Sequence, residues 1–245
     1  RGYDHIIHDI DIQRLPVTFC IDRAGLVGED GVTHHGAFDL SYLRSIPNMV
    51  VAAPRNGEML RNLLYTAQLP GDRGPMAIRY PRGNAHDNPM ELPFERVEIG
   101  RGVKLTSGTD VAVISIGTIA YEVAQAVKMA KEQGVNAAHY DAVFVKPIDK
   151  DMLREIASLN CPIITVEDGA MIGGFGSAVA EWLTNEGISR HLTIIGIPDS
   201  FISHGTVDQL KAICGLDATS ISQKIIEAAN EQSSKSTNQN QLPKK

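Results

Sequence analysis

The chain has 245 residues, 43% of them hydrophobic, enough for one large or two medium domains with their own cores. Its net charge of −6 argues against an extended basic surface for nucleic acid. No apolar run approaches the roughly 20 residues needed to span a bilayer, and no signal peptide opens the sequence. Cys20, Cys161 and Cys214 are few, far apart and without a CxxC spacing, so they read as buried free thiols of a reducing compartment. These features predict a cytoplasmic protein.

The first segment places Tyr3, Ile6, Ile7 and Ile10 at i, i+3, i+4 and i+7, the apolar stripe of a helix already inside a domain. A strand follows at 16–22 (PVTFCID), then a polar, glycine-rich stretch at 24–36 (AGLVGEDGVTHHG) that is too long for an ordinary turn. A short helix around Phe38–Leu43, a strand at 48–54, a helix from Asn56 and a strand at 76–81 complete the first unit. Alternating strands and helices predict a parallel α/β sheet, but three strands leave it with an unpaired edge. Residues 83–98, polar and proline-bearing, read as a linker.

A second α/β unit is predicted over 99–229, with strands at 111–117, 135–142, 162–168 and 192–198. Asp149 caps one helix, and Thr206 with Gln209 and Ser220 with Gln223 have capping-box spacing. The last residues, 230–245, are almost devoid of apolar side chains and read as a disordered tail.

The chemistry-bearing groups concentrate after the first strand, where open parallel sheets bind ligands. Arg23, Glu29, Asp30, His34 and His35 fall in thirteen residues, with Gly25, Gly28 and Gly31 available for sharp turns. The third strand ends in Arg79, with Arg82 just beyond. Either arginine alone reads as a surface charge, whereas two from neighbouring strand ends form a fork for a dianionic phosphate. A nearby carboxylate and imidazole would then meet hydroxyl and carbonyl oxygens, the equipment for a phosphorylated polyol. Asp22 and Asp39 read as turn or capping residues. The GGFG at 173–176 lacks dinucleotide-fingerprint spacing and reads as tight strand-to-helix packing, with Glu167 left open to an interface role. No spacing supports a metal site.

The segments RGYDHIIHDIDIQRLPV, IDRAGLVGEDGVTHHGAFDLSYLRSIPNMVVAAP and RYPRGNA resemble the pyrimidine-binding domain of the 1-deoxy-D-xylulose-5-phosphate synthases, a group of transketolase-like thiamine-diphosphate enzymes. VKPID, GGFGSAV and IGIPDSFISHGTVDQL are similar to that family's C-terminal domain. The resemblance implies two parallel-sheet, three-layer α/β domains: a partial pyrimidine-binding domain over 1–82 and a C-terminal domain over 99–229. It implies a transferase that condenses pyruvate with glyceraldehyde 3-phosphate, losing carbon dioxide, for isoprenoid, thiamine and pyridoxal synthesis. Thiamine diphosphate and magnesium would be its cofactors, and a cytoplasmic homodimer its state. On this resemblance Arg23 and Arg82 hold the sugar phosphate, Asp30 and His34 contact substrate oxygens, and Arg1 lies close to the cofactor. The family's cofactor-activating glutamate and its diphosphate and magnesium motif have no counterpart here. The expectation is therefore the C-terminal part of a synthase, inactive without its N-terminal part. A transketolase or split-transketolase subunit, and a non-catalytic sugar-phosphate-binding or dimerisation module, are the alternatives.

Overall fold

The computed structural model describes residues 2–71, 73–85 and 91–239, with side chains as far as 232. The chain enters through α1 (Gly2–His5), which widens into a π turn over Ile6–Asp11, where Ile12 N donates to Ile7 O and Leu15 N to Ile10 O. The apolar stripe is there as expected, since Ile6 and Ile7 pack on the core, but its helix is not uniformly α.

Three strands then form a parallel sheet: β1 (Thr18–Ile21), β2 (Val50–Ala52) and β3 (Met76–Arg79), with β3 in the middle of the three. Every residue of β2 and β3 is buried, as a parallel sheet covered on both faces requires. Between them lie the short α2 (Asp39–Arg44) and α3 (Gly57–Gln68). Asn56 starts α3 by accepting the Met59 amide, 2.9 Å away. Of the segment read as a linker, residues 86–90 lie outside the described residues. Beyond them the chain runs along α3: Glu95 N donates to Asn62 Oδ1, Val97 N donates to Thr66 Oγ1, and Phe94 sits under Arg61.

The second sheet has the order β4-β6-β5-β8-β9, from β4 (Val103–Thr106), β5 (Val111–Ile116), β6 (Ala137–Asp141), β8 (Ile163–Ala170) and β9 (Leu192–Ile197). Four of its strands are parallel and correspond to the four predicted, while β4 adds an antiparallel edge. Helices α4 (Ala120–Glu132), α5 (Lys150–Ser158), α6 (Phe175–Asn185), α7 (Val207–Cys214) and α8 (Ala218–Gln239) cover it. Asp149 caps α5, and Thr206 and Gln209 make the full reciprocal box at α7.

Several expectations are corrected here. The two sheets are separate, yet β7 (Phe144–Lys146) leaves the second unit and pairs antiparallel with β2, closing one edge of the first sheet. Among the described residues, β1 has no strand on its outer side. Cys20 is exposed rather than buried, because β1 is that open edge strand and Cys20 is its outward-facing position. Ser220 does not cap α8; Asp217 does, accepting the Ser220 amide at 3.0 Å. Finally α8 runs on through Gln239, so the described part of the predicted tail is helical. Ile221, Ile225 and Ala228 anchor the helix on the core.

The domains share a core. Leu40, Leu43 and Val51 of the first unit pack in one cluster with Tyr140, Phe175 and Trp182 of the second. A hydrophobic interface of this kind holds two domains in one orientation.

Candidate active site

The polar loop leaves β1 and returns to its own base. Gly25 N donates to Gly36 O and Gly36 N to Gly25 O, each at 2.9 Å, so residues 26–35 project as a closed loop. The closure needs glycine at both ends. Gly25 has φ +74°, and a Cβ there would stand 2.9 Å from Asp168 Oδ2. A Cβ on Gly36 would meet the Arg23 carbonyl oxygen at 2.1 Å. Within the loop Gly28–Asp30 form one 3-10 turn, and Gly31 (φ +72°) redirects the chain.

In the first sheet Ile21 is paired with Arg79, so Arg23 and Arg82 emerge beyond neighbouring strand ends at one sheet edge. Arg82 Nη1 donates to Asp30 Oδ2 at 2.5 Å, with the arginine side chain 59% exposed. This pair brings together two of the predicted site residues. Arg23 takes the adjacent Asp22 instead, in a left-handed backbone conformation (φ +62°). Its Nε is buried with no hydrogen-bond partner. A non-glycine residue held in that region stores strain, a pattern that concentrates at functional sites. His34 is exposed, its Nδ1 3.0 Å from Thr33 Oγ1. Arg1 lies outside the described residues.

A cavity of about 470 Å³ opens beside Arg82 between the two units. Leu26 and Tyr80 line it from the first, and Thr118, Ile119 and Lys211 from the second. Arg82 is in its wall, whereas Arg23, Asp30 and His34 are not. Lys211 donates to Glu122 at 2.8 Å.

Arg79, grouped with Arg82 in the sequence, has a different place. It is 2% exposed. Its Nε donates to Asp39 Oδ2 (2.7 Å), its Nη1 to Asp168 Oδ1 (2.5 Å) and its Nη2 to Gly36 O (2.9 Å). Burial works against its charge, but the carboxylates of Asp168 and Asp39 outweigh burial and hold its pKa above the ordinary arginine value. Asp39 is thus a buried ion-pair partner, not a turn or capping residue, because α2 turns its first residue inward. Arg79 cannot serve as a phosphate fork. It fixes the base of the loop through Gly36 and ties that base to β8 of the second domain.

Glu167 and Gly174 show the same economy of space. Glu167 is fully buried, and its two oxygens accept the Phe175 and Gly176 amides at 2.8 Å each. Burial pushes its pKa up to about 7, against the pull of those amides and of Arg79. A Cβ on Gly174 would stand 2.1 Å from Glu167 Oε2, and one on Gly176 2.4 Å from Ile194 Cγ2. The glycines of GGFG therefore serve strand-to-helix packing, as the spacing implied. A second buried pair crosses between the domains: Arg55 Nη1 donates to Asp141 Oδ2 at 3.0 Å. Burial raises Asp141 to about 6 despite Arg55, and lowers His139, on the same strand, to about 4. His139 Nε2 is 2.8 Å from Ser115 Oγ.

Neither these buried pairs nor the role of Asp39 and Asp168 was found by sequence reasoning, since the partners lie tens of residues apart. Among the described residues no group of three or more His, Cys, Asp and Glu side chains is placed to hold a metal ion, so magnesium finds no ligand set there. No helix among them is long and apolar enough to cross a membrane.

The sequence matches the family model of the transketolase pyrimidine binding domain over residues 1–87 and that of the transketolase C-terminal domain over 100–221. It is 50% identical over 225 residues to a 1-deoxy-D-xylulose-5-phosphate synthase from Parabacteroides distasonis, covering 92% of this chain and 35% of that protein. A synthase of the same description from Aquifex aeolicus is 47% identical over 228 residues, covering 93% and 36%. The chain thus spans about a third of the length of these curated relatives. A solved structure described as a split gene transketolase, inactive beta4 tetramer, superposes with a TM-score of 0.80 at 30% identity, covering 94% of this chain and 72% of that one. With both domain models matched in order and the sheets arranged accordingly, the chain belongs to the transketolase family, of which it carries the pyrimidine-binding and C-terminal domains.

Proposed function

We propose that this chain supplies the aldehyde-phosphate side of a 1-deoxy-D-xylulose-5-phosphate synthase active site. In that reading the enzyme joins pyruvate to glyceraldehyde 3-phosphate with loss of carbon dioxide, providing a precursor for isoprenoids, thiamine and pyridoxal. The observation that carries it is the Arg82–Asp30 pair at the sheet edge beyond which Arg23 also emerges, in a chain 50% identical over 225 residues to such a synthase.

Thiamine diphosphate with magnesium would supply the carbanion chemistry when bound, and among the described residues no ligand set is placed for the metal. The part of this chain is recognition. The phosphate of the aldehyde displaces Asp30 from the Arg82 guanidinium and draws on Arg23, each a bidentate donor matched to phosphate oxygens. Asp30, released from Arg82, and His34 then meet the hydroxyl and carbonyl oxygens of the bound aldehyde. Fixing the acceptor in this way converts a bimolecular encounter into an oriented one. The working enzyme is a cytoplasmic homodimer that includes the length of the relatives that this chain does not span.

Transketolase activity is the rival reading, which the split transketolase neighbour brings forward at its lower identity of 30%. The test is to supply the assembled enzyme with pyruvate and glyceraldehyde 3-phosphate, and in parallel with xylulose 5-phosphate and ribose 5-phosphate. Deoxyxylulose phosphate from the first pair alone is expected. Ketol transfer between the second pair, with no carbon dioxide from the first, would overturn the proposal.

A further inference from the structure

His35, next to the exposed His34, is inserted between the loop and the second domain. Its Nδ1 accepts the Val27 amide at 3.1 Å, and its Nε2 lies 3.3 Å from the Ser203 carbonyl oxygen, 168 positions away in sequence. Because a backbone N–H already points at Nδ1, that nitrogen carries no proton, and Nε2–H donates to Ser203. One ring therefore satisfies a donor inside the loop and an acceptor outside it. The segment it reaches also presses on the loop: a Cβ on Gly28 would be 3.3 Å from Gly205 O, and one on Gly31 3.4 Å from His204 Cβ.

Apart from the Gly25–Gly36 base, His35 is thus a second anchor of the loop, and Asp30 and His34 lie between the two. We infer that His35 is a positioning residue, which sets the placement of Asp30 and His34 by pinning their loop to the segment between β9 and α7 of the C-terminal domain. This rests on the functional reading above for what the loop holds, but the anchor itself does not. The C-terminal domain thereby acquires a part in aldehyde recognition, through one neutral imidazole.

The geometry distinguishes replacements. A glutamine amide also carries one acceptor and one donor, so His35→Gln can serve both partners, whereas His35→Leu serves neither. Amide hydrogen exchange on the 245-residue chain reads the anchor directly. In His35→Leu the Val27 amide is expected to exchange at least about tenfold faster, the equivalent of one lost hydrogen bond. His35→Gln should stay near wild type, and amides of Val111–Ile116 should be unchanged in both, reporting an intact second sheet. Unchanged exchange at Val27 in His35→Leu, or His35→Gln as fast as His35→Leu, would overturn the anchor.

In the assembled enzyme His35→Leu should raise KM for glyceraldehyde 3-phosphate about tenfold with KM for pyruvate little changed, and His35→Gln should restore it. Equal losses for both substrates, or no rescue by glutamine, would overturn the positioning role. If wild type forms no deoxyxylulose phosphate, the functional reading falls, while exchange at Val27 still decides the anchor.

Discussion

Arg79 Nη1 lies 2.5 Å from Asp168 Oδ1, so the last residue of β3 in the pyrimidine-binding domain is bonded to β8 of the C-terminal domain. The same guanidinium holds Asp39 and the Gly36 carbonyl. One buried cation therefore joins two sheets and the base of the loop that bears the candidate site.

Removing that cation should cost far more than removing a surface charge. Arg79→Met leaves Asp39 and Asp168 buried without their partner, a loss of roughly 3–5 kcal/mol for a broken buried pair. Denaturant unfolding should register a correspondingly lower midpoint, while Arg154→Met, on the exposed face of α5, should shift stability by less than about 1 kcal/mol. Equal effects of the two substitutions would contradict the assignment of Arg79.

The loop base makes a second prediction. A methyl group at Gly36 would fall 2.1 Å from a backbone oxygen, which no side-chain rotation can relieve. Gly36→Ala should destabilise the chain by on the order of 1–3 kcal/mol and speed amide exchange at Gly25, its hydrogen-bonding partner. An alanine variant with wild-type exchange at Gly25 would count against the closed base.

Why the loop was legible and its support was not follows from range. The strand at 111–116 and the capping box at Thr206 are local patterns, readable from adjacent residues. β7 is three residues long and pairs with a strand almost a hundred positions earlier, so no local period announces it. Arg79 and Arg82 look alike in sequence, three residues apart. What separates them is that the buried partners of Arg79 lie 40 and 89 positions away, while Arg82 meets Asp30 in the open. The distinction between a buried, structural arginine and an exposed one is made by tertiary contacts alone. The contact of His35 with Ser203, 168 positions away, was hidden for the same reason.

Glu167 and Asp141 predict a pH dependence. Each carboxyl group titrates higher in the folded chain, about 7 against an ordinary 4.5 for Glu167 and about 6 against 3.8 for Asp141. The folded state thus holds more protons than the unfolded one between those values, and stability falls as pH rises from about 4 to about 7. Each group contributes at most about 1.4 kcal/mol per pH unit within its own window. Glu167→Gln cannot ionise, so its unfolding free energy should fall less steeply across pH 4.5–7 than that of wild type. Parallel slopes in urea titrations at several pH values would contradict the assignment.

The central claim is that Arg82 reads the phosphate of the aldehyde, and the most direct test is the effect of Arg82→Ala on the two substrates in the assembled enzyme. Losing one charge-assisted contact of roughly 1.5–3 kcal/mol should raise KM for glyceraldehyde 3-phosphate by at least about tenfold. The KM for pyruvate, which has no phosphate to place beside Arg82, should stay within about twofold of wild type. Equal losses for pyruvate and glyceraldehyde 3-phosphate, or an unchanged KM for the aldehyde, would contradict the account.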